Sequence, residues 1–491
     1  MIVQNRKRFA LALASAAGAV LVLWALLAGR VRAQSASLFP PAVMQYVRVL
    51  APVVALEHVR VIDGTGAAPL DNQTIVIAHR KIVSVGPAGS ANVPPGAKIL
   101  DLSGYTVIPG LVGMHDHMFY PSGRVPVYNE MAFSFPKLYL AAGVTTIRTT
   151  GSIEPYADLE LKREIDSGLI VGPKMNVTGP YLEGSGAFTP QMHVLTGPDD
   201  ATRMVDYWAN EGVTSFKAYM NITPAELKAA IDAAHRHGLK ITAHLCSIGF
   251  TQAADLGIDD LEHGLLVDTE FNPGKVPGVC DSSATFPTIA KLGLNSASVQ
   301  AMIKDLIARH VAVTSTLPVF ETFVPNRPPL EARVLEALLP QAQIDYLAIR
   351  ARTASSPLSV AIAGEFFKKE MEFERMFVKE GGLLLAGEDP TGYGGDLAGF
   401  GDQREIELLV EAGFTPIEAL RIGSYNGAEF LGESQEVGTI AVGKAADLAV
   451  IHGDPSKNIE DIEKTEIVFK DGVGYDSAKL IDAVRGQVAL H

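Results

Sequence analysis

Residues 107–117, VIPGLVGMHDH, decide how this chain is expected to fold. An apolar, strand-like run ends there in two histidines spaced two positions apart. Side chains two apart on a strand point to the same side, so His115 and His117 are predicted to project from one face. Two imidazoles in that arrangement can hold one metal ion. The alternative is a pair of packed or hydrogen-bonded histidines.

Four further polar residues also stand at the ends of short apolar runs. They are Lys217 in TSFKAY, His244 in ITAHLC, His263 in DLEHG and Asp389 in LLLAGED. A parallel (β/α)8 barrel carries its chemistry at the C-terminal ends of its strands, which is where this pattern places all six residues.

Strand-like runs alternate with helical stretches along the middle of the chain. After GLVGMHDH come VTTIRTTG, KMNVTGPYL, TSFKAY, KITAHL, DDLEHG, HVAVTSTL and LLLAGED, which makes eight. Because such alternation implies parallel strands, the sequence predicts an α/β fold in which residues 111–430 form a TIM-like (β/α)8 barrel. Two long connections, 265–300 and 318–370, are expected to shape the active face, the second as a partly helical lid.

β-branched runs split by Gly, Asp and Pro occur on both sides of the predicted barrel. Residues 34–110 are expected to form one part of a β-sandwich domain. Residues 431–491 are expected to add the other part, followed by a terminal helix near 477–488. A short helical segment is expected around 42–50.

The first 33 residues are typical of an export signal. Basic residues at 6–8 precede an uncharged apolar stretch at 9–29, and Val31-Arg32-Ala33 fits a cleavage site. The apolar stretch of 21 residues is long enough to span a bilayer, so an uncleaved anchor is the alternative. The expected location is the periplasm or the medium, with membrane attachment only if the segment is retained.

The net negative charge limits the kinds of partner that the protein can bind. The formal charge of −14 becomes −19 without the first 33 residues, which hold five basic and no acidic residues. So acidic a surface argues against nucleic acid and anionic lipid as partners. Self-association stays open.

In an exported protein Cys246 and Cys280 could form one disulfide, or Cys246 could be buried and unpaired near the site.

Lys217 is the most informative of the six candidate residues. An inward-facing lysine at the end of a barrel strand is unfavourable unless it is paired or neutralised. A neutral amine can add carbon dioxide, and the resulting carbamate can bridge two metal ions. The alternative is a lysine paired with an acid such as Asp389 or Glu262. Imidazole and carboxylate together suit zinc, with manganese, cobalt or iron as alternatives.

Asp389 is predicted to be a metal ligand and also a proton acceptor. Two metal ions lower the pKa of a bridging water, so that hydroxide exists near neutral pH and can act as the nucleophile. Strand alternation turns Glu388 and Asp116 away from this centre.

These residues resemble the amidohydrolase superfamily over nearly all of the chain after the export signal. VIPGLVGMHDH looks like its opening metal motif, and VGTIAVGKAADLAVIHGDP looks like its closing β segment. The resemblance is greatest to the branch of Xaa-Pro dipeptidases and related exported dipeptidases, which also resembles imidazolonepropionase. It implies a more buried metal held by His115, His117 and Asp389, and a more exposed metal held by His244 and His263. Carboxylated Lys217 would bridge the two.

The sequence departs from the superfamily pattern in two places. Thr149 stands where relatives often have aspartate, and GEDP stands where GTD is more usual. Neither change removes a ligand. Single-metal deaminases of the superfamily lack the lysine and tend to carry a glutamate where this chain has Ser247, so the resemblance disfavours deamination.

The expected activity is hydrolysis of an amide bond in a dipeptide or an N-acyl amino acid. Asp389 would take a proton, and the resemblance implies that Tyr219 contacts the substrate. His193 is a further candidate contact, and Arg148 could pair with a substrate carboxylate or bridge core acids. The alternatives are hydrolysis of a lactone, cyclic amide or phosphoester at the same site, and a non-catalytic binding protein.

Overall fold

The computed structural model describes residues 39–122, 127–391 and 394–489. The predicted export signal at 1–33 lies outside the described residues. Within the described ranges, no helix is both long enough and apolar enough to cross a membrane.

The strands and helices of the described ranges are as follows. The strands are β1 Val47–Val49, β2 Val53–Val61, β3 Leu70–Ala78, β4 Lys81–Pro87, β5 Lys98–Asp101, β6 Tyr105–Pro109, β7 Leu111–Asp116, β8 Phe119–Ser122, β9 Val127–Glu130, β10 Val144–Thr149, β11 Lys174–Val177, β12 Ser215–Ala218, β13 Lys240–Ala243, β14 Asp260–Glu262, β15 Ala312–Ser315, β16 Leu384–Ala386, β17 Leu448–His452, β18 Thr465–Lys470 and β19 Val473–Asp476. The α-helices are α1 Pro41–Met44, α2 Phe135–Ala141, α3 Pro155–Asp166, α4 Pro198–Glu211, α5 Pro224–Arg236, α6 Phe250–Leu256, α7 Thr285–Lys291, α8 Ala297–Ala308, α9 Leu317–Glu321, α10 Ala332–Ala337, α11 Pro340–Ser355, α12 Pro357–Lys379, α13 Phe400–Ala412, α14 Pro416–Arg421, α15 Gly427–Phe430 and α16 Ser477–Asp482.

Two helices near the ends of the chain are shorter than the sequence predicts. The chain divides into two compact units between Gln45 and Tyr46, and α1 belongs to the first. The helix expected around 42–50 stops at Met44, because Val47 and Val49 pair with β19 as a strand instead. The terminal helix stops at Asp482, followed by turns in which Gly486 has a φ of 69°.

Strands from both ends of the larger unit form one nine-stranded sheet. Its order is β1-β19-β18-β17-β6-β2-β3-β4, with β5 paired to β2. The two ends meet where β17 pairs antiparallel with β6, from Leu448 opposite Pro109 to His452 opposite Tyr105. The pairings establish one continuous sheet, and the sandwich packing of its strands stays a prediction.

All eight strands predicted for the middle of the chain are present and run parallel. They form the sheets β11-β10-β7 and β12-β13-β14-β15-β16. Backbone hydrogen bonds also cross both borders between these sheets. Thr214 donates to Val177 O at 2.7 Å, and Asp389 donates to His115 O at 2.9 Å. The α/β fold class is therefore confirmed.

The border between β16 and β7 requires a glycine at position 387. A Cβ built on Gly387 would overlap the backbone nitrogen and the Cβ of His115. Only a residue without a side chain lets the last strand approach the first so closely. This approach brings Asp389, two residues later, to the end of the strand that carries His115.

The helices between the strands follow local signals in the sequence. Helix α5, for example, begins at a capping box in which Thr223 accepts from the Glu226 amide and Glu226 accepts from the Thr223 amide. Its apolar face, with Leu227, Ala230 and Ile231, is buried. Strands β7 and β10 are buried along their whole length, as expected when helices cover the outer face of a parallel sheet.

The two long connections differ in structure. The one at 318–370 is largely helical, as predicted, and contains α10, α11 and most of α12. The one at 265–300 is tied down by a disulfide between Cys246 and Cys280, so the alternative of an unpaired Cys246 is wrong. Lys275 and Thr269 also both donate hydrogen bonds to the Cys246 carbonyl.

Candidate metal centre

The strand ends bring all six predicted metal-binding residues into one buried group. His115 lies in β7 with His117 directly after it, and Lys217 lies in β12. His244 and His263 directly follow β13 and β14, and Asp389 comes three residues after β16. Their side chains are buried except that His244 is half-buried and Asp389 is 14% exposed.

Direct contacts connect the members of this group. His117 Nε2 lies 3.3 Å from Asp389 Oδ1, and His115 Nε2 lies 3.8 Å from Asp389 Oδ2. Lys217 Nζ lies 3.0 Å from His115 Nε2. The ring of His263 is 4.4 Å from that of His115 and 4.5 Å from that of His244, centroid to centroid. One small volume is therefore lined by four imidazoles, an amine and a carboxylate.

Glu262 fixes the orientation of His115. Its Oε2 lies 2.7 Å from His115 Nδ1, so we infer that Nδ1 carries the proton and Nε2 presents its lone pair to the centre. The other oxygen of Glu262 accepts from Thr242 Oγ1 at 2.6 Å and from Arg148 Nη1 at 3.1 Å. Glu262 is fully buried, and Arg148 brings a positive charge into direct contact with it.

Burial keeps the histidines neutral. It lowers the pKa of His117 to about 4 and that of His244 to about 3, while the ammonium group of Lys217 opposes protonation of both. Burial also lowers the pKa of His115 and of His263. A neutral imidazole is the form that binds a metal ion, so the four histidines are ready to act as ligands near neutral pH.

An orphaned nitrogen shows that the group fits a metal. His263 Nδ1 is hydrogen-bonded to Thr316 Oγ1 at 2.7 Å, whereas the buried Nε2 has no hydrogen-bond partner among the described residues. A polar atom without a partner in such a place is unfavourable unless something binds it. Donor atoms of His115, His263 and Asp389 all lie within 4.8 Å of one another, close enough to serve as ligands in a single compact metal centre.

Two members of the group have a left-handed backbone. The φ angles are 69° at His263 and 61° at Asp389, a region that residues other than glycine seldom adopt. This geometry costs about 1–2 kcal/mol per residue and is typical of functional sites. At His263 it ends the strand alternation, and as a result His263 and its neighbour Glu262 both face the centre.

Asp389 is held as a carboxylate. Burial alone would raise its pKa, but the facing imidazoles of His115 and His117 outweigh that effect and hold the pKa well below its usual range. Thr391 Oγ1 donates to Asp389 Oδ1 at 2.7 Å. The side chain is thus available near neutral pH both to bind a cation and to accept a proton.

Lys217 has no carboxylate partner in the described ranges. Its Nζ contacts His115, and no acid oxygen lies within 4.0 Å of it there, so pairing with Asp389 or Glu262 is not seen. Burial lowers the pKa of Lys217 to about 8, against the raising effect of Glu262 and Asp389. Near neutral pH the neutral amine, which is the form that reacts with carbon dioxide, is therefore far more populated than in an exposed lysine.

An aromatic wall borders the centre. Tyr219 packs against His244 at 4.8 Å, against Tyr181 at 4.9 Å and against Phe188 at 5.5 Å, centroid to centroid. Phe119 stacks on His117 at 4.4 Å. Burial raises the pKa of the Tyr219 hydroxyl well above its usual value, so this group is a hydrogen-bond donor. The wall offers one apolar side for a substrate and one phenol.

Arg148 and His193, the two other predicted substrate contacts, are both engaged by other protein groups. Arg148 is fully buried and bridges core groups, among them Glu262, Thr242 Oγ1 at 2.8 Å and Ser215 Oγ at 3.0 Å, which agrees with the second of its two predicted roles. His193 is 41% exposed, and its Nε2 is bonded to Asp200 at 2.9 Å.

Sequence reasoning named Glu262 only as an acid that could pair with Lys217 and did not name Tyr181, so it missed the roles of both in the site. Glu262 stands beside His263 in DLEHG, where strand alternation would turn it away. Tyr181 lies in an irregular segment after β11 and reaches the centre with its ring 6.4 Å from that of His117. No local pattern in the sequence signals either position.

Comparison with known proteins agrees with this geometry. Residues 106–313 and 375–473 match the Amidohydrolase family. Imidazolonepropionase of Stenotrophomonas maltophilia is 26% identical over 254 residues, which is 42% of this chain and 62% of that enzyme, so the match spans less than two thirds of its length.

Two solved structures superpose over most of the chain. A putative prolidase from Bifidobacterium longum gives a TM-score of 0.66 at 24% identity and covers 89% of this chain and 100% of its own. A Xaa-Pro dipeptidase with bound methionine gives 0.65 at 20% identity, with 86% and 100% covered. At these identities the likeness shows the fold alone. The sequence match, which includes seven of the eight parallel strands, places this chain in the amidohydrolase family.

Proposed function

We propose that this protein is a binuclear metal-dependent hydrolase that cleaves an amide bond in a dipeptide or an N-acyl amino acid. The amidohydrolase family is generally metal-dependent and hydrolyses carbon–nitrogen bonds. The observation that carries the proposal is the convergence of four neutral histidines, Lys217 and Asp389 in one buried volume.

The scaffold we infer for this centre is a closed (β/α)8 barrel. Hydrogen bonds that cross both borders between the two parallel sheets support closure. So does the glycine that allows β16 to approach β7. The inferred domains are residues 34–110 and 431–491 as a composite β-sandwich and residues 111–430 as the barrel.

We assign His115, His117 and Asp389 to a more buried metal and His244 and His263 to a more exposed one. Lys217, carboxylated by carbon dioxide, would bridge them. The mixture of imidazole and carboxylate favours zinc. When bound, two such cations would lower the pKa of a water molecule and polarise the substrate carbonyl.

The remaining chemistry belongs to the protein. Asp389, ionised and in contact with His117, would take the proton of the attacking water and pass it to the leaving nitrogen as the carbon–nitrogen bond breaks. The Tyr219 hydroxyl would donate to the substrate carbonyl or carboxylate. His193 would contact the substrate through the ring edge that Asp200 does not occupy.

Two observations support the proposed substrate class: the names of the structurally similar proteins and the aromatic wall beside the centre. The superposed structures are named prolidase and Xaa-Pro dipeptidase. An aromatic wall formed by Phe119, Tyr181, Phe188 and Tyr219 suits an apolar side chain or a proline ring. We propose a small-molecule substrate, no nucleic-acid partner, and a chain that can form homo-oligomers.

We also propose export to the periplasm or the medium, with an anchored form as the alternative. The disulfide between Cys246 and Cys280 supports an oxidising compartment. Together with the basic and apolar pattern of residues 1–33, it favours a protein that folds outside the cytoplasm.

Amine release from a library of dipeptides and N-acyl amino acids tests this function directly. The chain is assayed with and without a chelator, beside a His263→Ala variant in which a ligand of the more exposed metal is removed. We expect release that is lost with the chelator and in the variant. Release that persists in both would contradict the metal-dependent mechanism.

The second candidate is the same centre acting on a lactone, a cyclic amide or a phosphoester. It is favoured by the similarity to imidazolonepropionase. A preparation that contains two metals per chain but releases no amine from the library would support it, and hydrolysis of such esters or cyclic amides would then identify the class. Loss of all hydrolysis with retained ligand binding would point to a non-catalytic binding protein.

A further inference from the structure

A second group of acidic side chains lies behind the metal centre. Asp116 is the residue between the two histidines of β7, and Glu388 directly precedes Asp389. Because strand alternation turns both away from the centre, they meet Asp402 of α13 on the other side. Asp396, in the segment before α13, is buried beside them.

The three carboxylates Asp116, Glu388 and Asp402 converge on one point. Each offers an oxygen atom, and these atoms lie within 4.8 Å of one another. Opposite oxygens around a bound Mg²⁺ are about 4 Å apart and around Ca²⁺ about 5 Å apart. The spacing therefore suits ligands that share a single divalent ion.

Asp116 lacks the hydrogen bonds that a buried carboxylate requires. It is 0% exposed, and neither of its oxygens has a hydrogen-bond partner among the described residues. Oδ2 of Asp396 is also buried without a partner. Native structures leave few buried polar atoms unsatisfied, so the unpartnered carboxylate of Asp116 within this converging group indicates a missing ligand.

The positive charge that would balance this group is absent from the protein part described. Within residues 39–122, 127–391 and 394–489, no lysine, arginine or histidine lies within 4.0 Å of a carboxylate oxygen of Asp116, Glu388, Asp396 or Asp402. The polar contacts of the three converging carboxylates are uncharged: the Gly399 amide donates to Asp402 Oδ2 at 3.1 Å, Tyr139 is hydrogen-bonded to Glu388, and Glu388 is hydrogen-bonded to Asp402. Other buried acids, such as Glu321, do have arginine partners.

Two glycines let the backbone close around the carboxylates. A Cβ on Gly401, in the first turn of α13, would overlap Asp396 Oδ1 and Glu388 Oε2. A Cβ on Gly113 would overlap Asp116 Oδ2. Both positions must be glycine for the acidic oxygens to occupy this space, so the space is shaped for the carboxylates and for what they bind.

We propose that Asp116, Glu388 and Asp402, with Asp396 beside them, form a separate site for one hard divalent cation of the Ca²⁺ or Mg²⁺ type. Ligands that are all carboxylate oxygens select such ions, whereas the histidine-rich centre selects softer ones. The ion would join β7, the segment after β16 and the start of α13. It would thereby hold His115, His117 and Asp389 in place from behind, without touching the substrate. The opposing arrangement is a cluster of carboxyl groups that share protons and bind no ion.

The test compares the metal content of the full chain with that of a Glu388→Gln, Asp402→Asn double variant. Each protein is dialysed against Ca²⁺ in one arm and Mg²⁺ in another, and bound ions are counted by mass spectrometry of the elements. We expect one Ca²⁺ or one Mg²⁺ per chain in the natural sequence and none in the double variant. The dialysis in which the ion is retained identifies the preferred ion. Equal content in both proteins would overturn the site.

A matched control is Glu374→Gln. Glu374 is also a fully buried acid without a cationic partner, but it belongs to no convergent group of three in the described residues. This variant is expected to keep the ion.

Thermal unfolding gives an answer if the double variant does not fold. A bound ion stabilises only the folded chain, so the added ion should raise the Tm of the natural sequence and of Glu374→Gln. The same added ion should leave the Tm of the single variant Asp116→Asn unchanged. A Tm of the natural sequence that does not respond to either ion would support the shared-proton arrangement and overturn the proposal.

Discussion

Oε2 of Glu262 lies 2.7 Å from Nδ1 of His115, and both side chains are fully inaccessible to solvent. This contact decides which nitrogen of His115 faces the metal centre. It also links the centre to Arg148. Glu262, which binds no metal in our proposal, therefore orients His115, which does.

Replacement of Glu262 by glutamine should weaken metal binding without removing any ligand. An amide accepts a weaker hydrogen bond from His115 and no longer balances Arg148, so the imidazole is less basic and less well oriented. We expect metal affinity to fall by about 10- to 100-fold, measured by competition with a chromogenic chelator. Glu374→Gln is the control for replacement of a buried carboxyl group away from the centre, and an unchanged affinity in Glu262→Gln would contradict the orienting role.

Lys217→Ala should abolish activity, and a small carboxylic acid should partly restore it. The acid can enter the space vacated by the side chain and supply the oxygens that the proposed carbamate would provide. The measurement is turnover with increasing acetate or propionate, with Lys174→Ala, whose side chain pairs with Glu433, as the control. Full activity of Lys217→Ala without added acid would remove the bridging role.

Asp389→Asn should lower turnover by about 10²- to 10⁴-fold while the protein retains part of its metal. The amide can still occupy the position beside His117, but it cannot accept the proton of the attacking water. Turnover and metal content are measured on the same preparation. Turnover equal to that of the natural sequence would exclude Asp389 as the proton acceptor.

Tyr219→Phe keeps the aromatic contacts with Tyr181 and His244 and removes only the hydroxyl. If this hydroxyl donates to the substrate, kcat/KM should fall by about tenfold or more, since a hydrogen bond to a charged or polarised group contributes about 1.5–3 kcal/mol. Steady-state kinetics on the best dipeptide provide the measurement. Identical kcat and KM in the two proteins would rule the contact out.

The pH dependence of stability should reveal the buried acid Asp158 in α3. Burial raises its pKa to about 7, with Glu154 adding to the shift, so the folded chain keeps a proton that the unfolded chain releases above about pH 4. Stability is therefore lost as pH rises from about 4 towards 7. Asp158→Asn removes this loss, and its advantage in the free energy of unfolding should grow by roughly 2–4 kcal/mol between about pH 4 and about pH 8.

Denaturant unfolding at several pH values measures this difference. Asp166→Asn on the same helix, where the carboxylate is 48% exposed, is the control and should show no such growth. Parallel stability profiles for Asp158→Asn and the natural sequence would show that Asp158 is ionised in the folded chain.

The sequence by itself determined the eight parallel strands and the six residues of the proposed centre. The reason is that both depend on local periodicity. Alternation along a strand fixed that His115 and His117 share a face, and the position of each polar residue after an apolar run fixed its end of the sheet. The same rule correctly turned Asp116 and Glu388 to the other side.

Only the tertiary structure decided what these side chains meet. Glu262 and His263 both face the centre because a left-handed backbone at His263 breaks the alternation that the sequence rule assumes. Cys246 and Cys280 are bridged because two loops far apart in the sequence meet, and Asp116 faces Asp402 because a glycine lets α13 approach. Periodicity sets the direction of a side chain, whereas its partner depends on how distant segments pack, and that information is not local.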